Sequence, residues 1–196
     1  MLINLQKFLI CLVLVIGKIV LRKLNVMGNL IKKVFRILAI FIINTFLCTT
    51  RFFSLKRFLL NISGIQIGKD TKVVGPIHIG TVAQVVIGED CWIGSGFKVY
   101  GNGIVIIGDK CDFGPDVAFV TGSHEIGTAE RRAGAGISFS LSVESGCWIG
   151  ARVTIVGNTT VGRSSIIGAT SLVNKDIASN VIALGSPAKE FKKLEV

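Results

Sequence analysis

Residues 143 to 173 read VESGCWIGARVTIVGNTTVGRSSIIGATSLV, and this stretch decides the fold. An aliphatic residue recurs in it at every sixth position, often with Gly behind it: Val143, Ile149-Gly150, Ile155, Val161-Gly162, Ile167-Gly168 and Val173. Such a period fits neither an α-helix, which repeats about every 3.6 residues, nor a lone strand, which repeats about every 2. It suits a coil with three flat faces, in which each hexapeptide forms one face and its aliphatic residue points inward.

The same period runs back through the chain as far as Ile67. Its members are Ile67-Gly68, Val73, Ile79-Gly80, Ile87-Gly88, Ile93-Gly94, Val99, Ile107-Gly108, Phe113-Gly114 and Phe119. We therefore expect an all-β fold, a parallel β-helix of hexapeptide repeats. We expect Gly after the aliphatic residue either because a side chain would crowd the corner or because φ is positive there.

The repeat is interrupted in three places. The steps from Ile79 to Ile87 and from Val99 to Ile107 each take eight residues, which predicts two-residue bulges at corners. The large break, residues 123–142, is polar and carries a run of small residues from Ala133 to Gly136. It predicts a loop that projects from the coil. Binding and catalytic residues are often located on loops that a regular scaffold holds in place.

Three of the five cysteines share one position in the repeat. Cys91, Cys111 and Cys147 each lie four residues after an inward aliphatic position, in a second, smaller inward slot, and no C-x-x-C pair occurs. This spacing favours buried, reduced thiols that act as small hydrophobes, rather than a metal site or disulfides. Free thiols are typical of a reducing cytoplasm.

The charge of the chain is confined to one end. The formal net charge is +10, yet residues 1–60 hold ten Lys or Arg and no Asp or Glu, so the remainder is formally neutral. A strongly basic protein first suggests nucleic acid, but the repeat has no net charge and the arm has no aromatic stacking platform, so we expect no nucleic-acid partner.

Residues 1–60 are predicted to form a basic, apolar, amphipathic α-helical arm. Drawn as a helix, they place polar residues on one stripe: Lys18, Arg22, Asn25, Asn29, Lys33 and Arg36, with Lys7, Asn44 and Arg51 close to it. The uncharged runs are shorter than a bilayer span of roughly 20 residues, and no A-x-A cleavage pattern follows the first one. We expect the helix to lie on an anionic membrane surface, although packing on the β-domain or within an oligomer is the alternative.

The repeat region resembles a known family, the hexapeptide-repeat acyltransferases, and especially the bacterial O-acetyltransferases of sugars and surface polysaccharides. The resemblance spans about residues 62–196 and rests on CDFGPDVAFVTGSHEIG, on the loop ERRAGAG and on the run from Ser145 to Lys189. It implies a left-handed parallel β-helix at residues 61–184 that includes the loop 123–142, followed by a C-terminal tail at 185–196. It also implies a homotrimer.

This resemblance implies an O-acetyltransferase that uses acetyl-CoA as co-substrate. His124 opens the loop at the end of a repeat, where the family places its catalytic histidine, and imidazole suits proton abstraction from a hydroxyl near neutral pH. Glu125 is the candidate to orient that ring, with the alternative that it points away because it is adjacent in sequence. His78 lies in a regular coil, where we expect an outward structural or rim role.

The family also suggests where coenzyme A and the acceptor bind. The positions that match its groove for coenzyme A are Ala151, Ala169, Asn174, Lys175, Lys189 and Lys192. Arg131 and Arg132 in the loop are candidates for an acidic sugar, a lipid pyrophosphate or the coenzyme A of a neighbouring subunit, with a solvated loop as the alternative. Asn102 is the candidate counterpart of a substrate-binding Asn.

Two departures favour a particular acceptor. Glu125 replaces the Pro that follows the histidine in the maltose and galactoside enzymes, and the basic arm replaces their soluble N-terminal segment. We therefore expect a glycan or lipid-linked sugar acceptor at the inner face of the cell membrane. The zinc carbonic anhydrases of the same coil need three His ligands, and this chain has two, so we expect no metal. The remaining alternative is an inactive β-helical scaffold at the membrane surface.

Overall fold

The computed structural model describes residues 28–195, without the side chains of residues 28–30. The arm contributes two helices to this range, α1 (Gly28–Phe46) and α2 (Phe53–Ile62). Phe52, the residue before α2, has a φ of 56°, which turns the chain between the helices. Lys7, Lys18, Arg22 and Asn25 of the predicted stripe, and Cys11, lie outside the described residues.

The chain beyond α2 consists of short strands. Up to the large break they are β1 (Gln66–Ile67), β2 (Lys72–Val73), β3 (Ile77–Ile79), β4 (Gln84–Ile87), β5 (Trp92–Ile93), β6 (Phe97–Tyr100), β7 (Ile104–Ile107), β8 (Asp112–Phe113) and β9 (Ala118–Val120). The break itself holds β10 (Gly122–Ile126) and β11 (Ala133–Ser138). The remaining strands are β12 (Ser140–Val143), β13 (Trp148–Ile149), β14 (Thr154–Val156), β15 (Thr159–Val161), β16 (Ile166–Ile167), β17 (Leu172–Val173), β18 (Val181–Gly185) and β19 (Ala188–Lys193).

These strands form the three faces of a parallel solenoid, as the six-residue period predicts. Face A has the order β1-β4-β7-β12-β15, face B β2-β5-β8-β13-β16-β18, and face C β3-β6-β9-β14-β17. Each coil visits the three faces in turn, so the described chain makes five coils and begins a sixth. β19 returns antiparallel to β18 and ends face B.

The inward residues of successive coils stack into ladders. On face A, Ile87 pairs with Ile107, Ile107 with Val143, and Val143 with Val161, and all four side chains are buried. Phe97, Phe113 and Phe119 fill the middle of the coil with ring centroids 5.6 to 6.0 Å apart. Stacked apolar rows of this kind leave no gap between coils, and their burial drives folding.

The glycines behind the aliphatic positions are needed for space, not for a positive φ. A Cβ on Gly68 would lie 2.5 Å from the backbone of Gly88, and one on Gly94 would lie 2.6 Å from carbonyl oxygens of the next coil. The positive φ falls two residues later instead, for example at Asp70 (59°) and Asp90 (52°). Crowding was therefore the correct alternative, and a left-handed conformation at the glycine was wrong.

The three cysteines of the repeat form a buried ladder of free thiols, as their spacing predicts. Each thiol donates to a carbonyl of the following coil, as Cys111 Sγ does to Glu144 O at 3.2 Å. The Cys147 side chain raises the pKa of Cys111 to about 11. Cys111 is therefore a protonated packing group at neutral pH.

α1 packs on the first coils, and two residues of the predicted polar stripe, Arg36 and Asn44, point toward the coil rather than toward lipid. Arg36 is 7% exposed, and its guanidinium donates to Ala83 O at 2.7 Å and Gly80 O at 3.0 Å. The Asn44 amide bonds both backbone groups of Ile77 at 2.8 Å. The exposed carbonyls of a coil corner attract donors, so these stripe residues contact protein rather than lipid.

The outward surface of both helices is apolar. It consists of Val34, Phe35, Ile37, Leu38, Phe41, Ile42, Phe46, Leu55, Phe58 and Ile62, each at least 36% exposed. We call this set the outer apolar face. Within residues 28–195, neither helix has the combination of length and hydropathy that a bilayer span requires.

Candidate active site

The large break forms a β-hairpin rather than an irregular loop. β10 and β11 pair antiparallel, with Gly122 opposite Ser138 at the base and His124 opposite Gly136. The hairpin leaves the coil directly after β9, at the corner between faces C and A, and the coil resumes with β12 at Ser140. The last residues of the predicted loop 123–142 are thus part of face A.

The ring of His124 is held by the opposite strand of this hairpin. Its Nδ1 lies 2.9 Å from the carbonyl oxygen of Gly134. A carbonyl only accepts hydrogen bonds, so Nδ1 carries the proton and donates it. The neutral ring then presents the lone pair of Nε2, which is the form that a general base requires.

Glu125 does not orient His124, which corrects one alternative for this residue. His124 Nδ1 is bonded to Gly134 O instead, and the Glu125 carboxylate makes no hydrogen bond or ion pair with residues 28–195. The orienting group is the Gly134 backbone, which the sequence did not identify. The signal for it was the run Ala133-Gly134-Ala135-Gly136, whose small residues allow the two strands to approach closely.

A cleft of about 350 Å³ opens beside His124, and Asn102 lines it. Asn102 comes from the corner of the preceding coil, and its Oδ1 accepts a hydrogen bond from Ser138 Oγ at 2.8 Å. Gly101 permits this arrangement, because its φ is +94° and a Cβ there would lie 2.8 Å from the Gly122 nitrogen. The structure thus brings Asn102 and His124 together, and it adds Ser123 as a polar group of the same cleft.

Arg131 and Arg132 lie in the turn at the tip of the hairpin. The turn is closed by Gly127 N donating to Arg132 O at 2.9 Å and by Arg131 N donating to Thr128 O at 3.2 Å. Both side chains are exposed and neither lines the cleft of His124 in the same chain.

The first two predicted positions for coenzyme A share one corner of the coil. Ala151 and Ala169 stack at the corner between faces B and C, where Thr170 N donates to Ala151 O at 2.8 Å. A Cβ on Gly150 would lie 2.6 Å from the Ala169 nitrogen, so the coils are in close contact there. Ala151 is half-buried and Ala169 is exposed. Their short side chains leave backbone groups accessible along this edge.

The other four predicted positions lie elsewhere on the late coils. Asn174 and Lys175 follow β17, at the corner between faces C and A, the corner from which the hairpin also leaves. Lys189 and Lys192 are on β19, beside face B. All four side chains are exposed. Face C lies between the two corners, so Ala151, Ala169, Asn174 and Lys175 border that face, whereas Lys189 and Lys192 lie beside face B.

The second histidine has the outward placement expected for it. His78 points out of β3, and its ring lies 5.1 Å from that of Tyr100 on the next coil. Across residues 28–195, no group of three His, Cys, Asp or Glu side chains is arranged to hold a metal ion.

Comparison with known proteins gives sequence relatives in one functional class. No family model matches the chain. It is 36% identical to a putative acetyltransferase of Schizosaccharomyces pombe over 47% of this chain and 44% of that protein. It is 29% identical to the galactoside O-acetyltransferase of Escherichia coli over 65% of this chain and 63% of the relative. The chain thus spans less than two thirds of the length of these relatives.

A third relative is a putative colanic acid biosynthesis acetyltransferase of Escherichia coli. The identity is 26% over 68% of this chain and 71% of the relative. The name of that relative assigns it to colanic acid biosynthesis.

Solved structures share the solenoid. A hexapeptide-repeat acetyltransferase from Vibrio cholerae superimposes with a TM-score of 0.72 and 26% identity over 84% of this chain and 93% of that one. The same Vibrio protein has also been solved in complex with acetyl-coenzyme A. The fold is that of the left-handed β-helix acetyltransferases. Relatives in sequence and neighbours in structure together confirm the resemblance of this chain to the hexapeptide-repeat acyltransferases.

Proposed function

We propose that this protein is an O-acetyltransferase that transfers the acetyl group of acetyl-CoA to a sugar hydroxyl. The acceptor is a bacterial surface polysaccharide or its lipid-linked precursor. The enzyme works as a homotrimer at the inner, cytoplasmic face of the cell membrane. The hydrogen bond from His124 Nδ1 to Gly134 O carries this proposal, because it fixes the tautomer that a general base needs.

The reaction follows from this tautomer. His124 Nε2 takes the proton of the acceptor hydroxyl as the oxygen attacks the carbonyl carbon of the thioester. A tetrahedral intermediate forms and collapses, the carbon–sulfur bond breaks, and the imidazolium returns its proton to the departing thiolate. The imidazolium keeps its Nδ1–H bond to Gly134 O throughout, so the ring does not need to turn between the two transfers.

The acceptor is placed in the cleft beside His124. Asn102 and Ser123 supply polar groups for sugar hydroxyls, and the Asn102 amide nitrogen has no hydrogen-bond partner within residues 28–195. Two relatives support a sugar acceptor by their names, galactoside O-acetyltransferase and colanic acid biosynthesis acetyltransferase. The second name also supports a polysaccharide.

The donor is proposed to lie along face C toward the late coils. The short side chains of Ala151 and Ala169 allow a pantetheine arm to approach the backbone. The exposed Lys175, Lys189 and Lys192 offer point charges for the phosphates of coenzyme A, and Asn174 offers an amide. The Vibrio neighbour, which binds acetyl-coenzyme A on a similar solenoid, supports this assignment.

The exposed hairpin supports a homotrimer. Ile126, near the hairpin tip, is 90% exposed, and Trp148 on face B is 58% exposed. Apolar groups of this size on a projecting strand and a flat face are suited to contact with neighbouring copies. In such an assembly Arg131 and Arg132 reach the substrate of a neighbouring subunit, and Glu125 faces outward from the hairpin.

The outer apolar face supports the membrane location. Its ten side chains form a broad surface on α1 and α2, beyond what a small domain usually leaves in contact with water. An interfacial helix buries such a surface in the headgroup layer. The absence of Asp and Glu from residues 1–60 removes repulsion by anionic lipid.

The activity is tested with a matched pair of histidine variants. Purified wild-type protein is incubated with acetyl-CoA and the deacetylated surface glycan of the producing cell, and acetylated glycan is measured by mass spectrometry. We expect transfer with the wild type and with His78→Ala, and a rate lower by roughly a hundredfold to ten-thousandfold with His124→Ala. Equal rates for the two variants would contradict His124 as base. No transfer by the wild type or by His78→Ala, with no glycan acetylated in cells that carry the gene, would support an inactive scaffold.

A further inference from the structure

Arg36 is a buried cation whose hydrogen bonding is incomplete. Nη1 donates to Gly80 O and Ala83 O, and Nη2 is 3.4 Å from Gly64 O. Nε is buried and has no acceptor among the described residues. The three acceptors are neutral carbonyls, so they solvate the guanidinium without neutralising its charge.

Nothing in the surrounding protein neutralises this charge. Residues 28–195 contain two ion pairs, Lys69–Asp70 and Lys98–Asp116, and neither involves Arg36. The first 60 residues supply no carboxylate at all. A buried charge without a counter-ion is unfavourable, because the desolvation of the charge is not offset. An anion from outside the chain would offset it.

A cleft for such an anion lies at the edge of Arg36. It has a volume of about 410 Å³ and is lined by Lys32, Lys33 and Arg36 of α1 and by the first two coils of face A. The coil contributes Gln66, Thr81 and Gln84, and no carboxylate lines the cleft. Ammonium, amide and hydroxyl groups of this kind suit a phosphate, and lysine binds phosphate as a point charge. We call this the phosphate cleft.

A second cleft, which is apolar, adjoins the first. It has a volume of about 340 Å³, is lined by Ile37, Phe41 and His78 among others, and shares Thr81 with the phosphate cleft. On α1, Lys33, Ile37 and Phe41 follow one another at steps of four, so they form a single row on the helix surface. Along this row a cation is followed by apolar side chains. This order matches an anionic lipid, in which a phosphate headgroup is followed by hydrocarbon chains.

Both clefts lie at the corner of the coil that carries the catalytic hairpin. Arg36 binds the carbonyls of Gly80 and Ala83 at the corner between faces C and A. Asn102 lies at the same corner one coil later, and the hairpin leaves this corner one further coil along. At about 4.8 Å per coil, two coils separate the levels by about 10 Å. A lipid bound in these clefts would therefore place the membrane surface close to His124.

We propose that the phosphate cleft binds the phosphate of an anionic lipid, with the lipid chains against the apolar cleft and the outer apolar face. This inference rests on the membrane location in the proposed function. It assigns Lys32 and Lys33 a specific role in that location, with Arg36 fixing the cleft and supplying its buried positive charge.

The test compares two variants with the same loss of charge in the full chain. Lys32→Gln with Lys33→Gln changes the phosphate cleft. Lys110→Gln with Arg163→Gln removes two exposed charges at a different corner, between faces A and B. Each protein is floated at low salt with vesicles of phosphatidylcholine, with and without phosphatidylglycerol, and its fold is checked by circular dichroism.

We expect the wild type and the Lys110/Arg163 variant to float with vesicles that contain phosphatidylglycerol. The Lys32/Lys33 variant should partition about 30-fold more weakly, from the contribution of two cations near an anionic surface. Equal partitioning of the two variants would overturn the phosphate cleft while the membrane location stands. A wild type that floats with neither vesicle would overturn the membrane location itself, whatever its acetyl transfer.

A titration without vesicles distinguishes binding of a lipid phosphate from binding of free phosphate. Inorganic pyrophosphate is titrated into the wild type and the Lys32/Lys33 variant by calorimetry. We expect no more than weak binding, because pyrophosphate lacks the chains that fill the apolar cleft. Tight binding that the Lys32/Lys33 variant loses, together with vesicle binding that it keeps, would show that the ligand is a free phosphate and would overturn the lipid.

Discussion

The coil and the arm of this protein place their side chains in opposite ways. In the coil, apolar side chains such as Phe113 stack inside and charged ones such as Lys98 and Asp116 face water. In the arm, Arg36 is buried against the coil while Phe58 and its neighbours are exposed. Charged side chains thus face outward on the coil, whereas the outer surface of α1 and α2 is apolar. The comparison can be tested by changing the same residue type in both regions.

The largest effect is expected from replacing Phe by Ala in the two regions. Phe113 is 1% exposed and contacts the rings of Phe97 and Phe119, whereas Phe58 is 59% exposed. We expect Phe113→Ala to lower the free energy of unfolding by about 3 to 5 kcal/mol, through lost burial and a cavity. Phe58→Ala should change it by about 0.5 kcal/mol or less. Urea unfolding followed by circular dichroism measures both.

The same pair of variants should separate stability from membrane binding. Phe58 belongs to the outer apolar face, so Phe58→Ala should weaken flotation with vesicles although the fold is unchanged. A loss of stability in Phe58→Ala that matches that in Phe113→Ala would contradict the comparison. It would mean that the outer apolar face is packed against protein in solution.

The fold of the coil was predictable because its period is a local property of the sequence. Each hexapeptide repeats the same choice of inward residue, so Ile149 or Ile167 can be assigned without knowledge of distant contacts. The small slot of Cys111 followed in the same way. The role of the glycines was only half predictable, since crowding between coils depends on how closely they stack, which the period alone does not state.

The next largest effect concerns the buried cation of the arm. Arg36→Met removes the donors for the carbonyls of Gly80, Ala83 and Gly64, and we expect a loss of about 2 to 4 kcal/mol of stability. Lys32→Met on the same helix is the control, because Lys32 is exposed and should change stability by about 0.5 kcal/mol or less. Limited proteolysis should cleave the arm of Arg36→Met faster.

Equal stability of these two variants would contradict the docking of α1 through Arg36. It would return Arg36 to the exposed position at an anionic membrane surface that the sequence predicts. High salt discriminates further, because a buried hydrogen-bonded cation is screened less than an exposed one. The difference between the variants should therefore persist at high salt.

The orientation of the arm was not predictable from its own sequence. An amphipathic stripe identifies a polar side but not its partner, and the usual assumption is that the partner is water. Here the partner is a set of carbonyls at the corner that contains Gly80 and Ala83. Those carbonyls exist only once the coil has formed, so no helical pattern in residues 28–46 can reveal them.

The candidate site was partly predictable for a related reason. His124 was identified because it begins the one large interruption of the period. Its orienting group was missed because the contact with Gly134 depends on the register of the hairpin, in which His124 lies opposite Gly136. Asn102, which the family resemblance suggested, reaches the cleft because its corner stacks on the corner from which the hairpin leaves.

The smallest effect is expected at the exposed ion pair of the coil, between Lys98 Nζ and Asp116 Oδ1 at 2.6 Å. The hydrogen bond from Lys98 lowers the pKa of Asp116 below its usual value. The pair therefore stabilises the fold above the unfolded-state pKa of about 3.9, and this contribution is lost as the pH falls through the folded-state pKa.

Asp116→Asn isolates this contribution, since Asn tolerates the φ of 60° at this position as Asp does. We expect a small loss of stability at neutral pH that becomes smaller in high salt and vanishes in strong acid. The midpoints of urea unfolding at neutral pH and in acid measure this loss. A loss that persisted in acid would assign the effect to backbone geometry instead. The loss of stability in Arg36→Met should not depend on salt, whereas the loss in Asp116→Asn should. The two charges would then differ as the two regions do, because the Arg36 charge is buried in the fold and the Asp116 charge faces the solvent.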